Sequence, residues 1–214
     1  MKKSIYIYAI ALAIAGLVLS GVTTAMTNVV SQVEIAKTPI VDPNQSFVTL
    51  TNENIAGLTT CPAGDGPTYQ YVKVTCKDAG GNPISGIPAS GFTFIINATG
   101  GDTHWYGTLS CTFTAVDPQT NANGEIRFAV KGDTSIYGNI TIRAIVQGIP
   151  LNDIDTLPCK SVDFDTNGAV SLADFVIFGH DYGTNAYRYD LTWDGRVSLS
   201  DFVLFGQHYG HHHV

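Results

Sequence analysis

Asp163-Phe-Asp-Thr-Asn-Gly-Ala-Val-Ser-Leu-Ala-Asp174, running on into Phe175-Val-Ile-Phe-Gly-His-Asp-Tyr-Gly183, returns as Asp190-Leu-Thr-Trp-Asp-Gly-Arg-Val-Ser-Leu-Ser-Asp201 and Phe202-Val-Leu-Phe-Gly-Gln-His-Tyr-Gly210. The copies align without a gap, residue 163 falling on residue 190, and such self-similarity marks a repeated structural unit. Each copy opens with oxygen-bearing side chains at alternate positions around a glycine. Apolar residues then follow at helical spacing: Leu172, Phe175, Val176 and Gly179, matched by Leu199, Phe202, Val203 and Gly206. Ser171-x-x-Asp174 and Ser198-x-x-Asp201 read as capping boxes, with an acid near each helix start. Capping accounts for the serine and the last aspartate. It does not account for Asp, Asp/Thr, Asn/Asp and Gly at fixed spacing ahead of them, twice.

Calcium supplies the reason for that spacing. It takes about six to eight oxygens at about 2.3–2.6 Å, delivered from positions 1, 3, 5, 7, 9 and 12 of an EF-hand-type loop. The first copy offers Asp163, Asp165, Asn167, the Ala169 carbonyl, Ser171 through a water, and Asp174, with Gly168 at the sharp turn. The second offers Asp190, Thr192, Asp194, the Arg196 carbonyl, Ser198 and Asp201, with Gly195 at the turn. Two calcium ions are therefore expected. Position 12 is Asp rather than Glu, one methylene shorter, so the chain must approach the ion more closely. Thr192 is a neutral ligand, which predicts a weaker second site or a water in its place. Val170 and Val197, at position 8, are expected to join the paired loops by short strand contacts. No credible helix precedes either loop, so each unit reads as loop then helix. Phe178 and Phe205 lie off the apolar stripe and are expected to complete a core too small to hold without metal, with surface anchors for a partner as the alternative.

Two such half-hands over residues 157–210 resemble the dockerin family. The resemblance implies a two-calcium module of near two-fold symmetry that binds a cohesin domain on another protein. It also implies that residues at loop positions 10 and 11, here Leu172-Ala173 and Leu199-Ser200, help select that partner. These are less polar than the Ser/Thr pair of the best-known cellulosomal set.

Upstream, residues 46–156 carry short strands separated by turn residues. Phe47–Thr51 alternates, as does Tyr69–Cys76, with Tyr69, Tyr71, Lys73 and Thr75 on one face and Val72, Val74 and Cys76 on the other. Further strands read at 91–96, 105–114, 125–130 and 139–146, and the pattern means a β-sandwich. Lys77-Asp-Ala-Gly-Gly-Asn-Pro-Ile-Ser-Gly-Ile-Pro88, Thr120-Asn-Ala-Asn-Gly-Glu-Ile-Arg-Phe128 and Gly138-Asn-Ile-Thr-Ile-Arg-Ala144 resemble the bacterial Ig-like domains of invasin type. That resemblance implies a spacer, stalk or adhesive module without a catalytic set. The fold expected is thus mainly β: an Ig-like β-sandwich followed by a small all-α dockerin-like module with two calcium loop-helix repeats.

The start, Met1-Lys-Lys, then an apolar run from Ile5 to Val22 and small residues to Ala25, reads as a secretory signal over residues 1–25, with an uncleaved anchor as the alternative. Residues 26–45 read as a linker or leading strand, and 211–214 as a solvated His-rich tail, with a transition-metal site of His211-His212-His213 beside His208 as the alternative. Four cysteines, Cys61, Cys76, Cys111 and Cys159, favour two disulfides in an exported chain. No pair has the C-x-x-C spacing of a zinc site. In the Ig-like arrangement, first and last strands run side by side, which implies Cys61–Cys159 and Cys76–Cys111.

Charged residues make up only 14% of the chain and the net charge is −7, with the acids gathered towards the C-terminus and no basic stripe, which argues against nucleic-acid binding. No nucleophile elbow, zinc-protease motif or phosphate loop is present, so the chain is not expected to be an enzyme. His104, Trp105 and Tyr106 read either as core or as an exposed sugar-binding patch. The function expected is a secreted, surface-associated, non-catalytic interaction protein docked to a cohesin-type partner or surface scaffold. The alternatives are a calcium-dependent, self-associating structural subunit and a polysaccharide-binding accessory module.

Overall fold

The computed structural model describes residues 39–51, 56–152 and 155–213. The expected signal segment, and residues 26–38 of the expected linker, lie outside the described residues. Two sheets face each other. One has the order β1 (Phe47–Thr51), β3 (Gln70–Thr75), β6 (Glu125–Gly132), β5 (Cys111–Ala115), all antiparallel. The other runs β2 (Leu58–Thr60), β9 (Asp155–Ser161), β7 (Ile136–Val146), β4 (Phe92–Trp105), with β8 (Ile149–Pro150) hairpinned onto β7 and β2 parallel to β9. The molecule is mainly β, with two short helices at the end.

Alternation places the core. Val72 and Val74 of β3 lie opposite Phe128 and Ile126 of β6, and all four are buried. Ile140, Ile142, Ala144 and Val146 of β7 face them from the second sheet. Turn chemistry fixes the register. Asp78 Oδ1 accepts the N–H groups of Gly80 and Asn82, each at 2.9 Å, and Asn121 Oδ1 accepts those of Asn123 and Glu125 at 2.8 and 3.0 Å. Gly124 holds φ +74°, and a Cβ there would sit 2.3 Å from the Cys76 carbonyl oxygen, so no other residue fits.

Three expectations need correction here. The strand expected over 105–114 is two: β4 ends at Trp105 and β5 begins at Cys111, with bends between. The boundary expected at 156/157 falls inside β9, whose Leu157 and Cys159 pair with Ile140 and Gly138 of β7. The disulfides do not form, and all four cysteines are free thiols. Leu58, not Cys61, lies level with Cys159, so Cys61 stands three residues on, about 10 Å along the strand. Cys61 also packs in a different core from Cys159. Thr75, just before Cys76, pairs with Glu125 at one end of β6, whereas Cys111 pairs with Gly132 at the other, roughly 20 Å away. Burial pushes the Cys76 and Cys111 thiols up to about 12, and Cys159 well above its ordinary value, so these three serve as apolar filling.

β9 runs without a linker through Val162 into the first loop. The helices α1 (Leu172–His180) and α2 (Leu199–Gln207) each start on a capping box, from Ser171 with Asp174 and from Ser198 with Asp201. Phe178 and Phe205, each 1% exposed, stack at 5.8 Å with their planes 6° apart, and Phe164 lies 6.0 and 5.8 Å from them. This agrees with the core role expected for Phe178 and Phe205. The position-8 valines do not pair with each other. Val170 exchanges backbone hydrogen bonds with the segment after α2 (Gly210 N–H to Val170 O, Val170 N–H to His211 O, both 2.8 Å), and Val197 does the same with Gly183 and Thr184 after α1. Each loop is thus latched by the chain that follows the other repeat's helix.

The module packs directly on the sandwich, and both belong to one compact unit. The Trp193 indole N–H donates to Thr59 Oγ1 of β2 at 2.9 Å, and that hydroxyl donates to the Leu191 carbonyl at 2.9 Å. The Arg188 guanidinium lies 4.3 Å over the Tyr137 ring and donates to the Phe164 carbonyl. The Tyr106 ring covers Gly168 so closely that a Cβ there would meet it at 2.5 Å.

Candidate metal centres

The first loop gathers its acids by hydrogen-bonding the backbone around them. Asp163, two residues past the end of β9, is fully buried. Its Oδ1 accepts the Asn167 N–H at 3.1 Å, and its Oδ2 accepts the Gly168 N–H at 2.9 Å and the Ser135 hydroxyl at 2.8 Å. Asp165 accepts from the Asn167 backbone at 3.1 Å and its side-chain amide at 2.8 Å, and Asn167 Oδ1 accepts from Ala169 N–H at 2.9 Å. Asp174 Oδ1 accepts the N–H groups of Phe164 and Asp165 at 2.7 and 3.1 Å, while its Oδ2 closes the capping box on Ser171. Gly168 turns the chain at φ +90°. The result is one oxygen each from Asp163, Asp165 and Asp174 within 4.8 Å of one another. Burial, then the negative charge of Asp174, push the Asp163 carboxyl above its ordinary value.

The second loop repeats the construction. Asp190 accepts from Asp194 N–H at 3.0 Å and Gly195 N–H at 3.1 Å, Asp194 from Arg196 N–H at 3.0 Å, and Asp201 from Thr192 N–H at 2.8 Å. Gly195 turns at φ +91°, and the position-4 residues Thr166 and Trp193 share a left-handed φ of +55° and +62°. Asp190, Asp194 and Asp201 bring oxygens within 4.8 Å of one another. The Thr192 hydroxyl donates to Asp201 Oδ1 at 3.0 Å, and Ser171 and Ser198 spend their hydroxyls on the helix caps. Of the twelve expected ligands, the six aspartates converge. Asn167 borders the first cluster through its hydrogen bonds to Asp165.

Three carboxylates this close repel strongly unless a cation lies among them. The donor set is oxygen throughout, which fits a hard ion such as calcium and not a soft one. The two loops differ in one respect that the sequence does not reveal. Lys160 of β9, fully buried, brings its ammonium 3.3 Å from Asp190 Oδ2 and donates to the Asp190 carbonyl. Its charge rests over the rings of Trp193 and Tyr187, at 3.8 and 4.2 Å. The first loop has a neutral hydroxyl, that of Ser135, at the corresponding aspartate.

Outward from the loops, the helices present a duplicated apolar surface. Leu172 and Leu199 are each 63% exposed, and Phe175, Val176, Phe202 and Val203 are exposed with them. Ala173 and Ser200, the other residues expected to meet a partner, are exposed beside them. Trp105, expected in the core or in a sugar-binding patch, is 41% exposed and belongs to neither core. In the tail, His212 and His213 are exposed, while the backbone is held: the His211 carbonyl accepts the Val170 N–H and the His213 N–H donates to the Gly168 carbonyl, both at 2.8 Å.

No protein-family model matches the chain, and no curated protein matches it. Among solved structures, FdeC, described as a broadly conserved Escherichia coli adhesin eliciting protection against urinary tract infections, is similar at 18% identity and a TM-score of 0.40, over 57% of this chain and 32% of that one. The Yersinia pseudotuberculosis adhesin InvE is similar at 17% and 0.33, over 56% and 28%, and the Lin-41 filamin domain at 16% and 0.31, over 56% and 95%. The chain therefore spans about a third of the length of each adhesin chain. Likenesses this loose do not place it in a family.

Proposed function

We propose that the chain is a secreted, non-catalytic docking protein whose C-terminal module takes two calcium ions and binds a cohesin-type domain, with the sandwich as spacer or adhesin. The observation that carries this reading is the duplicated apolar face. Six large hydrophobic side chains, three from each helix, stand exposed on helices headed by carboxylate clusters. An exposed apolar face of this kind, with the Phe175 and Phe202 rings 6.1 Å apart across the two helices, marks a protein partner. The test is a calorimetric calcium titration of the mature protein, sedimentation with and without calcium, and capture on a panel of immobilised cohesin domains. Two binding events, a monomer throughout and calcium-dependent capture are expected. Leu172→Asp with Leu199→Asp is expected to weaken capture at least about 100-fold, the loss of about 3 kcal/mol from two anchors. No calcium binding at millimolar concentration would sink the reading. Calcium-dependent assembly of the pure protein would favour the second reading, a structural subunit that buries the same apolar face against another copy.

Lys160 makes the two ions unequal. A bound ion at the second loop must share Asp190 with a resident ammonium, and unit charges at about 4 Å interact by about 4 kcal/mol at an effective dielectric of about 20. Lys160→Met keeps the apolar stem between Trp193 and Tyr187 and removes the charge. The expected outcome is that the weaker of the two calorimetric events tightens at least about tenfold while the stronger is unchanged. Loss of the weaker event would instead make Lys160 a support for the loop.

A further inference from the structure

Cys61, Asp65, His208 and His211 bring one potential ligand atom each to within 4.8 Å of one another. The distances are specific. Cys61 Sγ lies 3.5 Å from His211 Nδ1, His211 Nδ1 lies 3.3 Å from His208 Nδ1 and 3.3 Å from Asp65 Oδ1, and His208 Nδ1 lies 3.6 Å from Asp65 Oδ1. A tetrahedral ion with bonds of about 2.0–2.3 Å to nitrogen, oxygen and sulfur sets its ligand atoms about 3.3–3.8 Å apart. The four separations above fall in that range. From this geometry we infer a second class of metal site, a tetrahedral Cys-Asp-His-His centre for a zinc-type divalent ion, distinct from the oxygen-lined loops.

Local structure explains the convergence. Gly64 at φ +73°, donating to the Cys61 carbonyl at 3.0 Å, turns the chain after β2 so that Asp65 comes back to Cys61. At the other end, Gly210 at φ +87° and the His211 N–H donating to the His208 carbonyl at 3.1 Å turn the chain after α2, so that two imidazoles face one point. The sites of attachment are firm, since Cys61 and His208 are buried, while Asp65 is half-exposed and gives an ion its way in. Sulfur and imidazole donors select zinc over calcium. An ion here ties the segment after α2 to the turn after β2. Because the His211 carbonyl accepts the Val170 N–H, it also holds the latch on the first loop.

The test is cobalt titration of the untagged, reduced mature chain with calcium saturating. One equivalent is expected to give intense tetrahedral d–d absorption and a thiolate-to-cobalt charge-transfer band, both displaced by one equivalent of zinc. Cys61→Ser is expected to abolish the charge-transfer band. Asp65→Asn, at an exposed position that leaves folding intact, is expected to weaken cobalt at least about tenfold. His212→Ala with His213→Ala is expected to change nothing. Weak octahedral absorption, uptake lost only in the double histidine variant, or no uptake at all would each overturn the site. Far-UV circular dichroism confirms that each variant is folded.

Discussion

Chelating calcium from the mature protein is expected to melt α1 and α2 and leave the sandwich folded. Each helix has nine residues, below the length of about 12–15 at which an isolated helix is even marginal in water. Among the described residues, the module's own core is eight buried residues around Phe164, Phe178 and Phe205, whereas twenty buried residues form the core of the sandwich. Without an ion, each loop holds three converging carboxylates. With free calcium at about 100 times the dissociation constant, each site adds about 2.7 kcal/mol to the folded state, so two add about 5 kcal/mol, on the scale of a small module's whole stability. Circular dichroism should lose its helical component on chelation and regain it on calcium return. A calcium-independent helical signal would mean that capping and packing suffice.

Phe178→Ala should cost about 3–5 kcal/mol and open the module even with calcium present. Its ring is buried on the inner side of α1, stacked on Phe205 and near Phe164. Phe175→Ala, three residues earlier and 40% exposed, should cost less than about 1 kcal/mol of stability and should instead weaken partner capture. Denaturant unfolding of the calcium-loaded variants, followed by helical signal, separates the two. Equal losses would mean that the helix is oriented otherwise.

The turns of the two loops were legible because Asp, Asn and Gly at fixed intervals accept backbone N–H groups and supply a left-handed φ, whether or not an ion is bound. β3 was legible for a similar reason, since alternation records which side is buried. β2 was not, because Leu58, Thr59 and Thr60 are all buried, the hydroxyl of Thr59 being held by Trp193 and Leu191 far along the chain. β9 was hidden by Pro158 and by its continuation into the loop. Helical spacing marked Leu172, Phe175 and Val176 as one stripe but could not say which way it points. The buried Asp174 settles that, because Phe178, four residues on, shares its inward side. Lys160 and the Cys61–His211 contact join residues 30 and 150 positions apart, and no local pattern announces such pairs.

The continuity of β9 with the first loop has a mechanical consequence. A pull on the helices reaches the sandwich covalently through β9 alone, and β9 is an inner strand, flanked by β7 and β2. Tension along it is resisted by two ladders of hydrogen bonds at once, where an edge strand would have one.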